Sequence, residues 1–476
     1  MQDIAITGIE HNSKKCSNNF LFVAIKGANV DGNDFIDNAI SNGAAVIVTS
    51  SIQQSNLQTK NIVFIEVKDA RIALAQLAHC FYNEPAKKLK IVGITGTNGK
   101  TTTTFLIKSI LEEAQKKAAI IGTTGIFIDN EKIEATHTTP ESLELAKLFN
   151  DIVQAGIEYV IMEVSSHSLA LNRVFGIDFF IGVFTNLTHE HLDFHKNFDE
   201  YAKAKKMLFD NNLSEKSIAI VNGDAAYADF MLSDCKAKKK IISSNILTAD
   251  YFIDNIQIQK HCSSFSVKLN FPTPQTFEIN TQLTALFNIQ NAAVAIAVGF
   301  ELGINSDDII RGIAKSEGAS GRLEHIALKN GATAYVDYAH TPDALEQALI
   351  SCKKLITDAE NQGKLICVFG CGGDRDKSKR SLMGAIAEKY SGVVVITNDN
   401  PRTEKSENII NDILEGINDD AKIQVIPSRS EAIKYAVSIS ALADIILVAG
   451  KGHENYQIIG TEKHYFSDAE ELNKCL

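Results

Sequence analysis

Prolines number only 7 in 476 residues, tryptophan is absent, and the 8 cysteines form no paired pattern. The closest two cysteines, Cys367 and Cys371, are spaced C-x3-C. That excludes a CxxC redox or zinc motif and a disulfide framework, so reduced thiols are expected. No apolar run reaches the roughly 18 to 20 residues of a spanning helix, which excludes a transmembrane segment of that kind. Met1-Gln2-Asp3-Ile4 lacks the basic start and apolar core of a secretory signal, so a cytoplasmic location is expected. Surplus positive charge is also missing. The net charge of −11 argues against nucleic-acid backbones as partners, though a local basic pocket for a nucleotide remains open. There is no internal repeat and no low-complexity tract, and the missing tryptophan excludes nothing.

What is present suits a packed globular protein: 45% of residues are hydrophobic and 22% charged. The length exceeds what one hydrophobic core serves, so two to four domains are expected. Three α/β blocks can be read, at 1–88, 89–322 and 323–476. The first alternates strand-like runs at Phe20–Ala24, Ala45–Val48 and Ile62–Ile65 with helical stretches, and closes on Asn83-Glu84-Pro85. The second opens with the strand Leu89–Thr95 and alternates strands with longer helices, the pattern of a mostly parallel sheet. The third has strands at Ala334–Val336, Leu365–Phe369, Val393–Thr397 and Ile445–Val448. Ligands in open α/β sheets sit beyond the carboxyl ends of strands, so the loops after these runs are candidate binding sites. Two of the few prolines, Pro342 and Pro401, fall in such loops.

The strand ending at Thr95 runs into Gly96-Thr97-Asn98-Gly99-Lys100-Thr101-Thr102. Glycines let backbone N–H groups wrap an anion, a helix N-terminus adds positive potential, and Lys100 reaches the outer phosphates. The Thr101 hydroxyl is positioned for Mg²⁺. The spacing departs from the common G-x4-GK form, because five residues separate Gly93 from Gly99 and Ile94 occupies the usual first-glycine position. A second buried-strand run ends at Glu163, a carboxylate well placed for a hard cation. A third leads into Thr188-His189-Glu190-His191-Leu192-Asp193-Phe194-His195, whose histidines lack zinc-protease spacing. Alone, His189 and His195 read as surface residues, and Tyr201–Phe209 reads as a charged helix face.

The T-G-T-N-G-K-T-T wording resembles the Mur ligase and folylpolyglutamate synthetase superfamily. The match continues in order through Glu163, His191, Tyr201–Phe209, Phe287-Asn288-Ile289-Gln290-Asn291, Gly321-Arg322 and Val336–Asp343. The resemblance implies an α/β fold of three domains: an N-terminal uridine-binding domain, a central P-loop ATPase domain, and a Rossmann-like C-terminal domain. It implies ATP and two Mg²⁺ as cofactors, with Thr101, Glu163, His191 and Lys205 as metal ligands. Lys205, rather than Lys203 or Lys206, would carry a CO2-derived carbamate. Catalytic roles fall to Lys100, Glu163, His191 and Lys205. ATP contacts fall to Gly96 through Thr102 with Asn288 and Arg322. Glu190 stands where the family usually has Asp, keeping the charge with a longer reach.

Within the family the chain is most similar to members that add the third residue of the muramyl stem peptide. That implies UDP-MurNAc-L-Ala-D-Glu and meso-diaminopimelate as substrates, joined through an acyl phosphate; a monomer is expected. Thr138, Thr139, Ser165 and Arg173 match muramyl-substrate positions. Ser13, in Asn12-Ser13-Lys14 where relatives have D-S-R, would contact the uridine. Arg375, the Asp399-Asn400-Pro401-Arg402 turn, Gly450 and Glu454 would form the diaminopimelate site. The physical reason is that a guanidinium grips a distal carboxylate with paired hydrogen bonds. A base accepting the amine proton is expected near His340 and Asp343. Three alternatives stay open: a lysine-adding relative, a folate polyglutamating ligase, and a non-catalytic nucleotide-gated binder.

Overall fold

The computed structural model describes residues 4–27, 30–52, 62–129, 131–135, 137–188, 190–191, 194–270, 273–357, 363–419 and 422–475. The chain's first three residues, His189, Leu192 and Asp193 thus lie outside the described residues.

Three sheets organise the protein. Gly8–Glu10, Phe20–Val23, Ala44–Thr49 and Val63–Glu66 form a four-stranded parallel sheet in chain order. The helix Ala70–Phe81 packs Leu74 and Ala78 against it, capped by Asp69, whose carboxylate accepts from the N–H groups of Arg71 and Ile72. Leu143 and Ala146 of the helix Ser142–Gln154 join the same cluster and tie this sheet to the next.

The second sheet has eleven strands. At its centre Lys90–Thr95 lies parallel between Tyr159–Glu163 and Ile181–Phe184. All five residues of Tyr159–Glu163 are buried, as expected where helices cover both sheet faces. Tyr251–Ile258, Ser263–Leu269 and Gln275–Thr281 form an antiparallel meander at one edge, where pure strand–helix alternation was expected. Their sequences alternate apolar and polar side chains, so one face is buried and no crossover helix is needed. After Lys90–Thr95 the chain moves one way to Ala118–Gly122 and later the other way to Ile181–Phe184. The phosphate loop therefore stands where strand order reverses.

The third sheet runs Arg322–Ala327, Thr333–Asp337, Ile445–Ala449, Leu365–Phe369, Val393–Ile396, Ile423–Val425, with only the first strand antiparallel. Parallel strands bring the loops after Leu365–Phe369, Val393–Ile396 and Ile445–Ala449 to one edge. Gly321 enters this sheet at φ +67, and a Cβ there would lie 2.1 Å from the Gly452 backbone, so only glycine permits this approach. Asp337 clasps the junction: its carboxylate accepts from the Leu323 N–H at 2.7 Å and the Ala339 N–H at 2.8 Å. No helix among the described residues is long and apolar enough to cross a membrane.

Candidate active site

Gly99 caps the helix Lys100–Glu113 at φ +87, and a Cβ there would meet Asn291 Oδ1 at 2.3 Å. The loop before it is held from behind. Thr185 Oγ1 donates to Asn98 O at 2.6 Å, and Asn186 Oδ1 accepts from Asn98 N at 2.9 Å. Lys100 folds back, its Nζ donating to Gly96 O at 2.9 Å and Thr97 O at 2.7 Å. Burial lowers its pKa, against the pull of Glu190 and Glu163.

Glu163 is the hub of the adjoining cluster. Its carboxylate accepts from Thr101 Oγ1 at 2.9 Å, from Thr123 N at 3.0 Å and from Thr123 Oγ1 at 3.0 Å. Thr101 and Glu163 thus form an all-oxygen pair at a helix start, a donor set that suits a hard divalent cation completed by phosphate oxygens. Arg322 reaches the same place, with Nη2 3.5 Å from Thr101 Oγ1 and its guanidinium 4.6 Å from the Tyr338 ring centroid.

Lys205 lies below the loop, fully buried, with Nζ donating to Gly96 O at 2.7 Å. Burial first, then the charge of Lys100, pushes its pKa well below the ordinary lysine value, which favours a neutral, nucleophilic amine. Its neighbours differ. Lys203 is exposed and paired with Glu200, while Lys206 is held by Asp210 and Asp234. The supposed charged face of this helix is therefore largely inward.

His191 is half-exposed in the left-handed region at φ +56, with its ring 4.8 Å from that of His167. Non-glycine residues held there carry strain of the kind that collects at functional sites. Glu190 Oε2 lies 3.6 Å from His191 Nε2. Burial pushes the Glu190 carboxyl up, but His191, Lys100, His340 and Lys205 outweigh it and hold the group below its usual range. His195 is corrected from surface to core. It is 6% exposed, because its N–H turns back onto His191 O at 2.9 Å and aims the ring inward, where Nε2 meets Ser166 Oγ at 2.9 Å.

The Thr138-Thr139 turn also joins this cluster. Thr138 Oγ1 is 3.1 Å from Thr123 Oγ1, and Thr139 Oγ1 bridges Glu163 O and the Ser165 N–H. Arg173 is mostly committed internally, donating to Thr139 O at 3.0 Å and pairing with Glu141, which also pairs with Arg71. Ser13 is buried, at the start of a short 3-10 helix in the first sheet's domain.

Three cavities meet around the loop. One of about 190 Å³ is lined by Lys100, Thr101, Thr138, Glu163, Ser165 and Arg322 among others. A second, about 240 Å³, runs past Asn98, Gly99, Phe287, Gln290, Asn291 and Arg322. Asn288 stands behind this lining, its Nδ2 bound to Thr284 O at 2.9 Å and its Oδ1 accepting from Asn291 Nδ2 at 3.3 Å. The third, about 810 Å³, extends from His167 and His191 to the third domain's loops. Glu190, Tyr338 and His340 line all three. His340 Nδ1 is 2.8 Å from Tyr338 O, and burial lowers its pKa against the pull of Glu190. Asp343 ties the domains together, accepting from Asn98 Nδ2 at 3.1 Å and Thr188 Oγ1 at 2.9 Å.

The large cavity's far wall holds Arg375, Asp399, Asn400, Arg402, Gly450 and Glu454. Arg402 sits at φ +52, with Nη1 donating to Gly373 O at 2.8 Å. Pro401 is buried beside it. Below, the fully buried Arg380 donates to both Glu404 oxygens, to Asp412 at 2.7 Å and to Gly372 O at 3.1 Å, pinning the two loops to each other. Sequence reasoning missed Thr123, Tyr338, Arg380 and Lys451. Thr123 follows a buried strand's carboxyl end, so the rule that singled out Glu163 would have found it.

A phosphate-type loop sharing a chamber with polar loops of another α/β domain is the architecture of a nucleotide-using enzyme. The chain matches the Mur ligase family, catalytic domain, over 5–82; the Mur ligase middle domain over 94–299; and the Mur ligase, glutamate ligase domain, over 321–452. It is 42% identical to the UDP-N-acetylmuramoyl-L-alanyl-D-glutamate--2,6-diaminopimelate ligase of Clostridium tetani, covering 100% of this chain and 95% of the relative. With the enzyme of the same name from Clostridioides difficile it shares 40%, covering 100% and 96%. A solved structure of a ligase with that name superposes with TM-score 0.71 at 31% identity, covering 99% of this chain and 94% of that one. A Mycobacterium tuberculosis folylpolyglutamate synthase complexed with ADP and AMPPCP shares the fold at TM-score 0.64 and 17% identity, covering 80% and 92%. The chain belongs to the Mur ligase family, and it is a ligase.

Proposed function

We propose that this protein joins meso-2,6-diaminopimelate to the D-glutamate γ-carboxylate of UDP-MurNAc-L-Ala-D-Glu at the expense of ATP. The observation that carries the reading is the shared chamber: Glu190 and His191 at one end of the 810 Å³ cavity, Arg402 and Glu454 at the other. The relatives' names give the same substrates.

In this reading the phosphate loop from Gly96 to Thr102 holds the triphosphate, with the purine between Phe287, Asn291 and the helix Pro342–Thr357. Lys100 swings from its backbone acceptors to the phosphates. Thr101, Glu163, His191 and carbamylated Lys205 would hold two Mg²⁺, which supply charge neutralisation at the transferring phosphoryl group. The Lys205 amine forms its N–C bond with CO2 and releases one proton, a reaction that needs the neutral amine its burial provides. Thr138, Thr139 and Ser165 orient the dipeptide end so that a carboxylate oxygen attacks the γ-phosphorus and ADP leaves. The diaminopimelate amine then attacks the acyl carbon, phosphate leaves, and the amine gives up its proton. His340, with Nδ1 engaged at Tyr338 O and its ring lining the shared chamber, would offer Nε2 to that proton. Closure of the two domains, through contacts such as Asp343 to Asn98, keeps water from the acyl phosphate.

The test is ADP release with the muramyl dipeptide and either meso-diaminopimelate or L-lysine. Turnover that needs both substrates and prefers diaminopimelate is expected. Release that ignores the amino acid overturns the reading.

A further inference from the structure

Lys451 is fully buried behind the 810 Å³ cavity, between Gly450 and Gly452 at the end of the strand Ile445–Ala449. Its ammonium has three hydrogens and three acceptors: Glu454 Oε2 at 3.1 Å, Asn400 Oδ1 at 3.2 Å and Asp399 Oδ1 at 3.4 Å. Asn400 completes the circuit, its Nδ2 donating to the same Glu454 oxygen at 2.9 Å. Two donors therefore hold Oε2 of Glu454, Tyr456 adds a side-chain hydrogen bond to the same carboxylate, and Glu454 and Tyr456 both line the cavity. Asn400 Oδ1 also accepts from Ile458 N at 2.9 Å, so the hub fixes the next strand as well.

The electrostatics point the same way. One lysine facing Asp399 and Glu454 leaves a net charge of −1 there, on a wall that also carries Arg375 and Arg402 beside the pair of opposite charges Asp376 and Lys379. A cationic head group is drawn to that point, and a carboxylate head group to the arginines.

We infer that Lys451 is a positioning residue for amino-acid selection: it orients Glu454 so that this carboxylate receives the ammonium of the incoming amino acid. The inference rests on the functional reading above. It assigns Lys451 no contact with substrate; Lys451 acts through Glu454.

The experiment uses the full-length enzyme and steady-state kinetics with each substrate varied. Lys451→Met should raise KM for meso-diaminopimelate about tenfold or more, as for loss of one charge-assisted contact. KM for ATP and for the muramyl dipeptide should stay within about twofold. In a Glu454→Gln background the same change should have little further effect, because residues acting as one unit are non-additive. Lys451→Met combined with Asp399→Asn keeps the net charge at −1 and covers the case in which the single variant does not fold. Its KM for diaminopimelate should remain raised. A merely structural role predicts the contrary pattern: all three KM values move together, or the compensated variant regains wild-type KM, or the effects of Lys451→Met and Glu454→Gln add. Any of these overturns the inference. A wild type that ignores meso-diaminopimelate overturns the functional reading and this inference together. A wild type that uses it, beside a Lys451→Met enzyme with unchanged KM, overturns only this one.

Discussion

Replacing Arg402 with alanine should cut the preference for meso-diaminopimelate over L-lysine by about 10- to 150-fold. The figure follows from the side chain's surroundings. A charged hydrogen bond contributes about 1.5–3 kcal/mol, and about 1.4 kcal/mol corresponds to a factor of ten. A fully buried pair would count for more, but Arg402 is only half-buried and one of its nitrogens is already engaged with Gly373 O. Solvent screening therefore holds the effect to the lower range. The loss should fall on kcat/KM for diaminopimelate, with lysine use changed far less, because lysine offers no distal carboxylate. The backbone supplies a control. Since Arg402 sits at φ +52, alanine keeps the left-handed strain while glycine removes about 1 kcal/mol of it. Arg402→Gly should thus match Arg402→Ala in selectivity yet melt at a higher temperature. An unchanged selectivity ratio in both variants would refute the reasoning.

Three further outcomes are expected. Lys100→Ala should lower turnover at least about 100-fold with little change in Tm, since the side chain bonds only to its own loop; near-normal ADP release by the folded variant would remove the phosphate role. Lys205→Ala should lose most activity and regain part of it with a small added carboxylic acid, whereas full activity without the acid would rule out the carbamate. For His453, burial and then the charges of Arg322 and Lys132 lower the pKa from 6.5 to about 4, and among the described residues its Nδ1 has no hydrogen-bond partner. The unfolded chain therefore takes up this proton first, and stability falls as pH drops from 6.5 toward 4, by roughly 2–4 kcal/mol. Thermal melts of wild type and His453→Gln at pH 7 and pH 4.5 check this: the variant should lose less, and equal losses would count against it.

What the sequence disclosed was mainly what is local. Gly96 through Thr102 form one continuous turn and helix start, so spacing alone reveals the phosphate loop. Arg173 was legible as a position but not as a state, because its partner Glu141 lies 32 residues away and is shared with Arg71 from another domain. In the helix Leu286–Glu301, Phe287, Gln290 and Asn291 line the cavity, while the buried Asn288 spends its amide on Thr284 O and Asn291. Naming a five-residue motif does not say which of its members faces the ligand. His195 was misread for a related reason: the segment is polar, and only the turn back onto His191 shows that its ring points inward. Lys451 was hidden by its own motif, where a lysine between two glycines reads as an exposed loop charge.

The seam between the second and third domains divides the labour of the site unevenly. Phosphate loop, acid cluster and buried lysine stand on one side, and the groups that would tell one amino acid from another stand on the other, with Arg322, Tyr338, His340 and Asp343 reaching across from the far side. On the proposed reading, such a division makes the third domain an interchangeable cassette. Altering its three edge loops could redirect which amine is accepted without disturbing how the carboxylate is activated, and a change confined to the loop would slow every amine alike. A family built on this plan can extend a peptide with different residues in successive steps by varying one half of each enzyme.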